Sequence, residues 1–389
     1  MAALGECVPV VTTDPAAVAD LAAKLEPGLV VVGPEDPLVA GVVDAVEDAG
    51  YRAFGPRAAA ARLEGSKAWM KDVLRAAGVA TARYGVFGAG DEERAFAFLD
   101  TLPGSYVIKT DGLAAGKGVI VTESMTEARE AVRAYLSGTA FGAAGTTCVI
   151  EEGLTGPEIS VFALCAGREM QLVATAQDHK RAFDGDTGAN TGGMGAYSPV
   201  PFVGSDVVES VMHDAVAPTL AELEHRGAPF RGALYCGLML TPDGPKMLEY
   251  NVRFGDPETQ VLMPRITSDV YVHLAEVAAG RLETPIALSG LACVGVVMAA
   301  AGYPPAPERK GDVVHGLDAA DAREGVTVFH AATAFGDDGT VVTNGGRVLA
   351  VTAVGTDLTQ ARDRAYAAAA DVTWSGVHYR RDIGAQALS

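Results

Sequence analysis

The hydrophobic pattern of this chain switches between a helical and a strand period. From residue 16 an Ala/Leu-rich stretch recurs at helical spacing, residues 29–32 are continuously apolar, and residues 38–49 return to helical spacing before Gly50. A continuous apolar strand between amphipathic helices is the pattern of a parallel sheet covered on both faces. Ahead of it, residues 1–11 offer one weak strand at 8–11 and no Gly-rich turn opening a helix, so the βα unit that begins a nucleotide-type α/β domain is expected to be missing. Residues 66–75 read as a helix, 106–109 and 119–121 as short strands joined by a Gly-rich loop, and 148–150 as a strand running into Glu151 and Glu152. Residues 177–199 hold neither period and are rich in Gly, Asp, Asn and Thr, which in a compact domain marks a lid or binding loop.

Residues 233–240 and 246–252 alternate like strands around a Thr241, Pro242, Asp243, Gly244 turn, so they read as a hairpin. A helix at about 269–279 follows. Strands at 295–299, 326–330 and 348–352 and a helix at about 358–370 then suggest a separate α+β domain.

A length of 389 residues fits two or three domains of about 150. The net charge of −19 argues against nucleic acid as a partner and requires any bound polyanion to be held by a local cluster of cations. The longest apolar run, 292–302, is about half of the ~20 residues of a membrane-spanning helix, so no membrane partner is expected. No basic residue precedes Lys24, and Cys7, Cys148, Cys165, Cys236 and Cys293 lie far apart with no Cys-x-x-Cys pair. Neither a secretory leader, a disulfide framework nor a zinc knuckle fits, and a reducing cytoplasm is the expected compartment.

The candidate chemistry lies in three places. Residues 111–118 read Asp-Gly-Leu-Ala-Ala-Gly-Lys-Gly. That is not a P-loop, because three residues separate the glycines, Gly follows the lysine, and a strand rather than a helix comes next. Such a loop between two strands can fold over phosphates as a flap, with Lys109 at the end of the first strand in reach; a plain flexible hairpin would look similar. Glu151 and Glu152 end a strand and Glu158 follows, an arrangement that can give backbone groups to an adenine edge and a carboxylate to ribose, or be a solvated acidic turn. Glu249, Asn251 and Arg253 alternate with Leu248, Tyr250 and Val252, so the polar three share a strand face. A carboxylate beside an amide oxygen suits Mg²⁺ or Mn²⁺. The continuation Phe254-Gly255-Asp256-Pro257-Glu258-Thr259-Gln260 sits at a strand exit, where α/β proteins bind ligands. His213, His225 and His273 fall in helical stretches without a metal-ligand partner at i+4, so no competing histidine set appears.

The order of lysine strand, Gly-rich flap, Glu-Glu strand end and Glu-x-Asn hairpin resembles the ATP-grasp enzymes. Gly33, Pro34, Glu35, residues 63–67, 109–119, 177–180, 186–199 and 253–260, with 311–317 and 379–384 near the end, resemble more closely the glycinamide ribonucleotide synthetase family. The resemblance covers nearly the whole chain. It implies an α/β and α+β multidomain protein: a Rossmann-like N-terminal domain at 1–65 lacking its first βα unit, an ATP-grasp domain at 66–287 with a flap subdomain at about 83–154, and a small α+β domain at 288–389. The family joins glycine to 5-phosphoribosylamine in purine biosynthesis, forming glycinamide ribonucleotide, ADP and phosphate by way of glycyl phosphate.

By the same resemblance Lys67 and Lys109 would meet ATP phosphates, with Gly112, Gly116, Lys117 and Gly118 in the flap. Glu151, Glu152 and Leu154 would border adenine, and Glu158 the ribose. Glu249 and Asn251 would hold Mg²⁺ or Mn²⁺. Pro34, Glu35, Asp178, Asn190, Thr191, Gly192, Gly193 and Arg253 would line the substrates, and Arg253, Asp256 and Lys180 would act at the reacting centre. A monomer or weak dimer with small-molecule partners is expected. Two other readings stay open at this point: a different carboxylate–amine ligase of the superfamily, and a chain that binds nucleotide but ligates poorly or not at all.

Overall fold

The computed structural model describes residues 4–113, 118–139 and 146–388. Near the start, β1 (Val30–Val31) and β2 (Ala53–Phe54) pair in parallel as a two-stranded sheet. The helix expected at 38–49 is two helices, Glu35–Ala40 and Val42–Asp48, because Gly41 between them takes φ 90° and breaks the hydrogen-bond ladder. Residues 8–11, expected as a weak strand, belong to no sheet.

A four-stranded antiparallel sheet follows, formed by β3 (Tyr84–Phe87), β4 (Tyr106–Thr110), β5 (Val119–Thr122) and β6 (Cys148–Glu152) in the order β3-β6-β4-β5. Helices Glu92–Leu99 and Met125–Leu136 supply Leu99, Ala128 and Val132 to a core shared with Ile108 and Ile150. The chain enters and leaves this sheet by two crossings, 78–83 and 153–157. The first is tied to the next sheet by a parallel bridge between Thr81 and Met247, the second by the Leu240 amide donating to the Pro157 carbonyl at 2.9 Å.

The main sheet collects β7 (Glu158–Ala166) and β8 (Glu169–Asp178), then, past the small hairpin of β9 (Arg181–Phe183) and β10 (Thr187–Asn190), β11 (Gly195–Ser198), β12 (Arg231–Thr241), β13 (Gly244–Asn251) and β14 (Ala292–Ala299). Of the last strands, β15 (Val326–His330) joins it, β16 (Thr333–Phe335) and β17 (Val341–Thr343) pair with each other, and β18 (Arg347–Gly355) returns to it. The order is β13-β12-β7-β8-β11-β14-β18-β15, eight strands in all. Because β11 pairs with β14 over residues 195–198, the C-terminal strands continue the same sheet as the central ones. Strands β9, β10 and β11 lie inside the stretch read as aperiodic; β11 is wholly buried, yet its Gly-Ala-Tyr-Ser sequence carries no alternation to betray it.

The expected hairpin is present as β12 and β13, with one correction. Gly237 faces Glu249 and Leu238 faces Met247, so Leu248 is an extra residue in a β-bulge. Met247, Tyr250 and Val252 are therefore the core side chains, and Leu248 is only half-buried. Glu249 and Asn251 keep the expected shared face.

Candidate active site

The nucleotide-like part of the site is built around one buried carboxylate. Glu151, on the inner strand β6, sits between the Lys109 ammonium at 2.9 Å and the Lys71 ammonium at 3.1 Å. Burial opposes its charge, but the two lysines hold its pKa below the ordinary glutamate value. Lys109 also donates to the carbonyl of the bulge residue Leu248 at 3.4 Å, so the bulge brings a main-chain oxygen to the site. Lys67 opens the helix Lys67–Ala77 and donates to the Gly112 carbonyl at 2.8 Å. Ser66, the N-cap of that helix, donates to Asp111, and the Ala68 amide donates to the same carboxylate, each at 3.1 Å. The base of the Gly-rich loop is thus fastened to a helix N-terminus. Gly116 and Lys117 lie outside the described residues.

At the end of β6 the Glu152 amide donates to the Arg83 carbonyl, while the Arg83 amide donates to the Glu152 side chain, both at 2.9 Å. Gly153 donates to Ser105, so the two-residue alternation of the ladder makes Glu151 and Val107 the next hydrogen-bonded pair. The backbone of Glu151 is therefore engaged within the sheet, and its distinctive contribution is the carboxylate. Leu154, half-buried, follows in the crossing to β7.

A second cluster faces the first from the main sheet. Lys180 pairs with the Glu158 carboxylate and lies 3.7 Å from Glu249. Burial works against the Lys180 charge, but Glu158 and Asp178 outweigh it and hold its pKa well above the ordinary lysine value. Asp178 moves the other way: burial, reinforced by Glu258, Glu158 and Glu249, pushes it well above the ordinary carboxylate range despite Lys180. Glu258, itself 3% exposed, is also pushed up by burial and is bonded to the Tyr235 hydroxyl, which in turn accepts from Ser160 at 3.0 Å. Glu249 is the exception. Burial would raise it, yet Lys180, Lys109 and Lys67 keep it below the ordinary value and Asn251 bonds to it. An ionised carboxylate next to an amide oxygen is a donor set that fits a hard divalent cation.

Arg253 reaches back toward the N-terminal helices. Its guanidinium donates to Glu35 at 3.1 Å, to Glu64 at 2.9 Å and to Asn251 at 3.4 Å. Burial pushes Glu64 up to about 7, although Arg253 and the Val252 amide, which donates to it at 2.7 Å, favour its charge. Pro34 caps the helix that begins at Glu35, so those two stand beside Arg253.

The substrate-like loop is held from the C-terminal part of the chain. Arg347, at the start of β18, donates to the Gly192 carbonyl at 2.7 Å, to the Asp256 carbonyl at 2.8 Å and to the Asp256 carboxylate at 2.7 Å. Gly193 has φ 110°, and a Cβ there would come within 2.4 Å of Pro257, so only glycine lets the loop pass Asp256 and Pro257. Thr191 returns to Lys180, its amide donating to the carbonyl at 2.8 Å and its hydroxyl at 2.9 Å. Farther out, the fully buried Arg380 side chain bonds Asp382 and Asp186, each at 2.7 Å, and the Gly185 amide donates to Asp382 at 2.8 Å.

Of the described sequence-derived residues, Lys67, Lys109, Lys180 and Asn251 gather around Glu249, with Glu158 on Lys180 and Glu35 on Arg253. Asp256 is engaged by Arg347, and the Asn190 side chain is exposed on β10. Sequence reasoning missed Lys71, Glu64, Tyr235, Glu258, Arg347 and Arg380 as parts of the site. Lys71 had a legible signal, four residues after Lys67 and so on the same helical face; Arg380 lay within the family-like stretch 379–384, and Arg347 had no signal.

Facing sheets, one carrying lysines and a Gly-rich loop and the other an ionised carboxylate and an amide, define an ATP-grasp protein, a class that uses ATP with a divalent metal. Three family models cover the chain: the phosphoribosylglycinamide synthetase N domain at residues 1–64, its ATP-grasp domain at 65–259 and its C domain at 293–386. The phosphoribosylamine–glycine ligase of Mesorhizobium japonicum is 49% identical over 99% of this chain and 89% of its own length, and that of Yersinia pestis is 47% identical over 99% and 89%. The crystal structure of phosphoribosylamine–glycine ligase from Thermotoga maritima superposes with a TM-score of 0.83 at 36% identity, covering 94% of this chain and 88% of its own. A biotin carboxylase from Campylobacter jejuni, at 16% identity and a TM-score of 0.73 over 94% of this chain and 80% of its own, shares the fold. The chain belongs to the phosphoribosylglycinamide synthetase family and is an ATP-grasp ligase. Among the described residues no helix is long and apolar enough to cross a membrane.

Proposed function

We propose that this chain joins glycine to 5-phospho-β-D-ribosylamine at the cost of one ATP, giving glycinamide ribonucleotide, ADP and phosphate, a step of purine biosynthesis carried out in the cytoplasm. The observation that carries the reading is the convergence of Lys67, Lys109 and Lys180 on Glu249 in a chain whose family is established. A cluster of cations in a protein of net charge −19 is what a polyphosphate requires.

In this reading Lys67 and Lys109 hold the ATP phosphates beneath the loop that contains Gly112, Gly116, Lys117 and Gly118. Leu154 borders adenine with its backbone groups, with Glu151 and Glu152 at the adjoining strand end, and Glu158 holds the ribose. Glu249 and Asn251 hold the cation, Mg²⁺ or Mn²⁺, which when bound neutralises phosphate charge and orients the chain of phosphates. A glycine carboxylate oxygen attacks the γ-phosphorus and ADP departs. The amine of phosphoribosylamine then attacks the acyl carbon, phosphate leaves, and the amine gives up a proton. No protein nucleophile takes part, so the residues act by position and charge. Lys180 lies at the reacting centre, and Asp178, whose carboxyl is driven toward its neutral form, lies beside it. Pro34, Glu35, Arg253, Asp256 and residues 190–193 wall in the two substrates and keep water from the acyl phosphate.

The test is ADP release measured with each of glycine, phosphoribosylamine, ATP and metal omitted in turn. Release that needs all four, with formation of glycinamide ribonucleotide, is the expected result. Release with another amine acceptor but not phosphoribosylamine would assign a different ligase, and ATP binding without release would assign an idle nucleotide-binding protein.

A further inference from the structure

Lys71 is a lysine that touches no cleft. Its side chain is 0% exposed, and its ammonium is occupied by Glu151 at 3.1 Å, by Thr81 Oγ1 at 2.6 Å and by the face of the Tyr84 ring at 5.5 Å. The Thr81 hydroxyl donates onward to the Met247 carbonyl at 2.6 Å, and Tyr84 closes the shell by donating to the Lys71 carbonyl at 2.9 Å. Lysine is rarely buried without a reason, because desolvating an ammonium costs several kcal/mol. A buried lysine–carboxylate pair already exists here without it, since Lys109 meets the other oxygen of Glu151 at 2.9 Å.

The charge count gives the reason. Lys109 and Glu151 alone would be neutral, and a neutral pair at the base of the Gly-rich loop would present little attraction to a polyphosphate. With Lys71 behind them the group carries one net positive charge, and only Lys109, at 9% side-chain exposure, has any access to the cleft. We propose that Lys71 is a positioning residue for ATP, taking up the Glu151 carboxylate from behind the sheet so that Lys109 faces the nucleotide phosphates as an uncompensated cation. This rests on the reading that Lys109 meets those phosphates.

The surroundings support a balanced group. From the elements packed against Lys71 come Glu151 on β6, Lys109 on β4 and Tyr84 on β3, and Glu249 on β13 acts on it from farther away. Burial lowers the Lys71 pKa to about 8, and the Lys109 charge pushes the same way while Glu151 opposes both. Protonated Lys71 therefore depends on Glu151, which ties the two together.

The experiment compares Lys71→Met, Lys71→Arg and the double variant Lys71→Met/Glu151→Gln. It measures the KM of ATP and of glycine, the Kd of ATP and the melting temperature. Lys71→Met is expected to raise the KM of ATP roughly tenfold, the effect of one charge a few ångströms away across protein, while the KM of glycine stays put. Lys71→Arg is expected to restore most of the loss. The double variant again has one net positive charge, and its ATP Kd is expected to fall within about threefold of the parent. A residue that only packs would give a double variant no better than the single one, and that result, or an unchanged ATP KM in folded Lys71→Met, overturns the proposal. If Lys71→Met does not fold, the double variant, in which Lys109 keeps the Leu248 carbonyl as acceptor, decides alone: an ATP Kd more than about threefold above the parent overturns the proposal. Lys109→Met separates the two levels: unchanged ATP use there defeats the nucleotide-site reading, whereas a collapse there with no effect of Lys71→Met defeats only the role of Lys71.

Discussion

The two halves of the site are held by different means. On the nucleotide-like side the charged groups stand on strands β4 and β6 and on one helix, and they are fixed by one another where those elements pack, as in Lys71, Glu151 and Lys109. On the substrate-like side the groups stand on loops, and arginines from far along the chain tie those loops down, Arg347 to Gly192 and Asp256 and Arg380 to Asp186. The first design fixes charge by burial. The second fixes shape by long-range donors and leaves the polar groups partly open to solvent.

Four perturbations sharpen this contrast, from the largest effect to the smallest. Glu249→Gln removes the one carboxylate that the lysines of both halves keep ionised, and ATP-dependent turnover is expected to drop by about a thousandfold with the circular dichroism unchanged. Near-normal turnover at ordinary metal concentration would dismiss Glu249 as a metal ligand. Arg380→Met takes a fully buried guanidinium from Asp186 and Asp382, whose own side chains keep some contact with solvent, and the expected loss is about 2–3 kcal/mol of stability by denaturant titration. A loss below about 1 kcal/mol would show that water replaces the guanidinium.

Arg347→Ala leaves the fold intact but frees residues 192–193 from Asp256. Turnover is expected to fall about tenfold, with the glycine and phosphoribosylamine KM values rising and the ATP KM unchanged. An equal rise in all three would erase the distinction between the halves. The smallest effect concerns Glu64. Its folded pKa, about 7, lies above the unfolded value near 4.3, so the folded state binds more protons between those pH values. The stability this provides is complete below about pH 4 and is lost as pH rises through 7. Relative to Glu64→Gln, the parent melting temperature is expected to decline from pH 5 to pH 7.5, and parallel curves would refute the assignment.

The same contrast governs what could be read from the sequence. The β12–β13 hairpin and the lysine-bearing strand β4 were legible because alternation and a turn are local signals, and Glu249 and Asn251 followed from their spacing. The bulge at Leu248 was not, since an inserted residue leaves no trace in a pattern of half-apolar positions. Strand β7 is nearly continuous in burial and β8 is buried only over its second half, so neither alternates, and β11 is small and polar in sequence though buried. The split at Gly41 was hidden because a glycine inside a helical period is tolerated as often as it breaks one. Arg347 finds Asp256 91 residues away and Arg380 finds Asp186 194 residues away, separations over which no spacing rule operates.

The two chain crossings at 78–83 and 153–157 make the four-stranded sheet a door hung on the main sheet. Lys109 and Glu151 ride on the door. Lys71 rides on the frame, because its helix packs through Met70, Val73 and Leu74 into the core that holds Leu220, Leu223 and Tyr250. Glu249, Lys180 and Asp178 belong to the frame as well. The contact between Lys71 and Glu151 therefore lies beside Thr81, in the first of the two crossings, where a swing about them displaces atoms least. A door pinned by a buried ion pair at its axle can close over a nucleotide without breaking the charge balance that draws the nucleotide in.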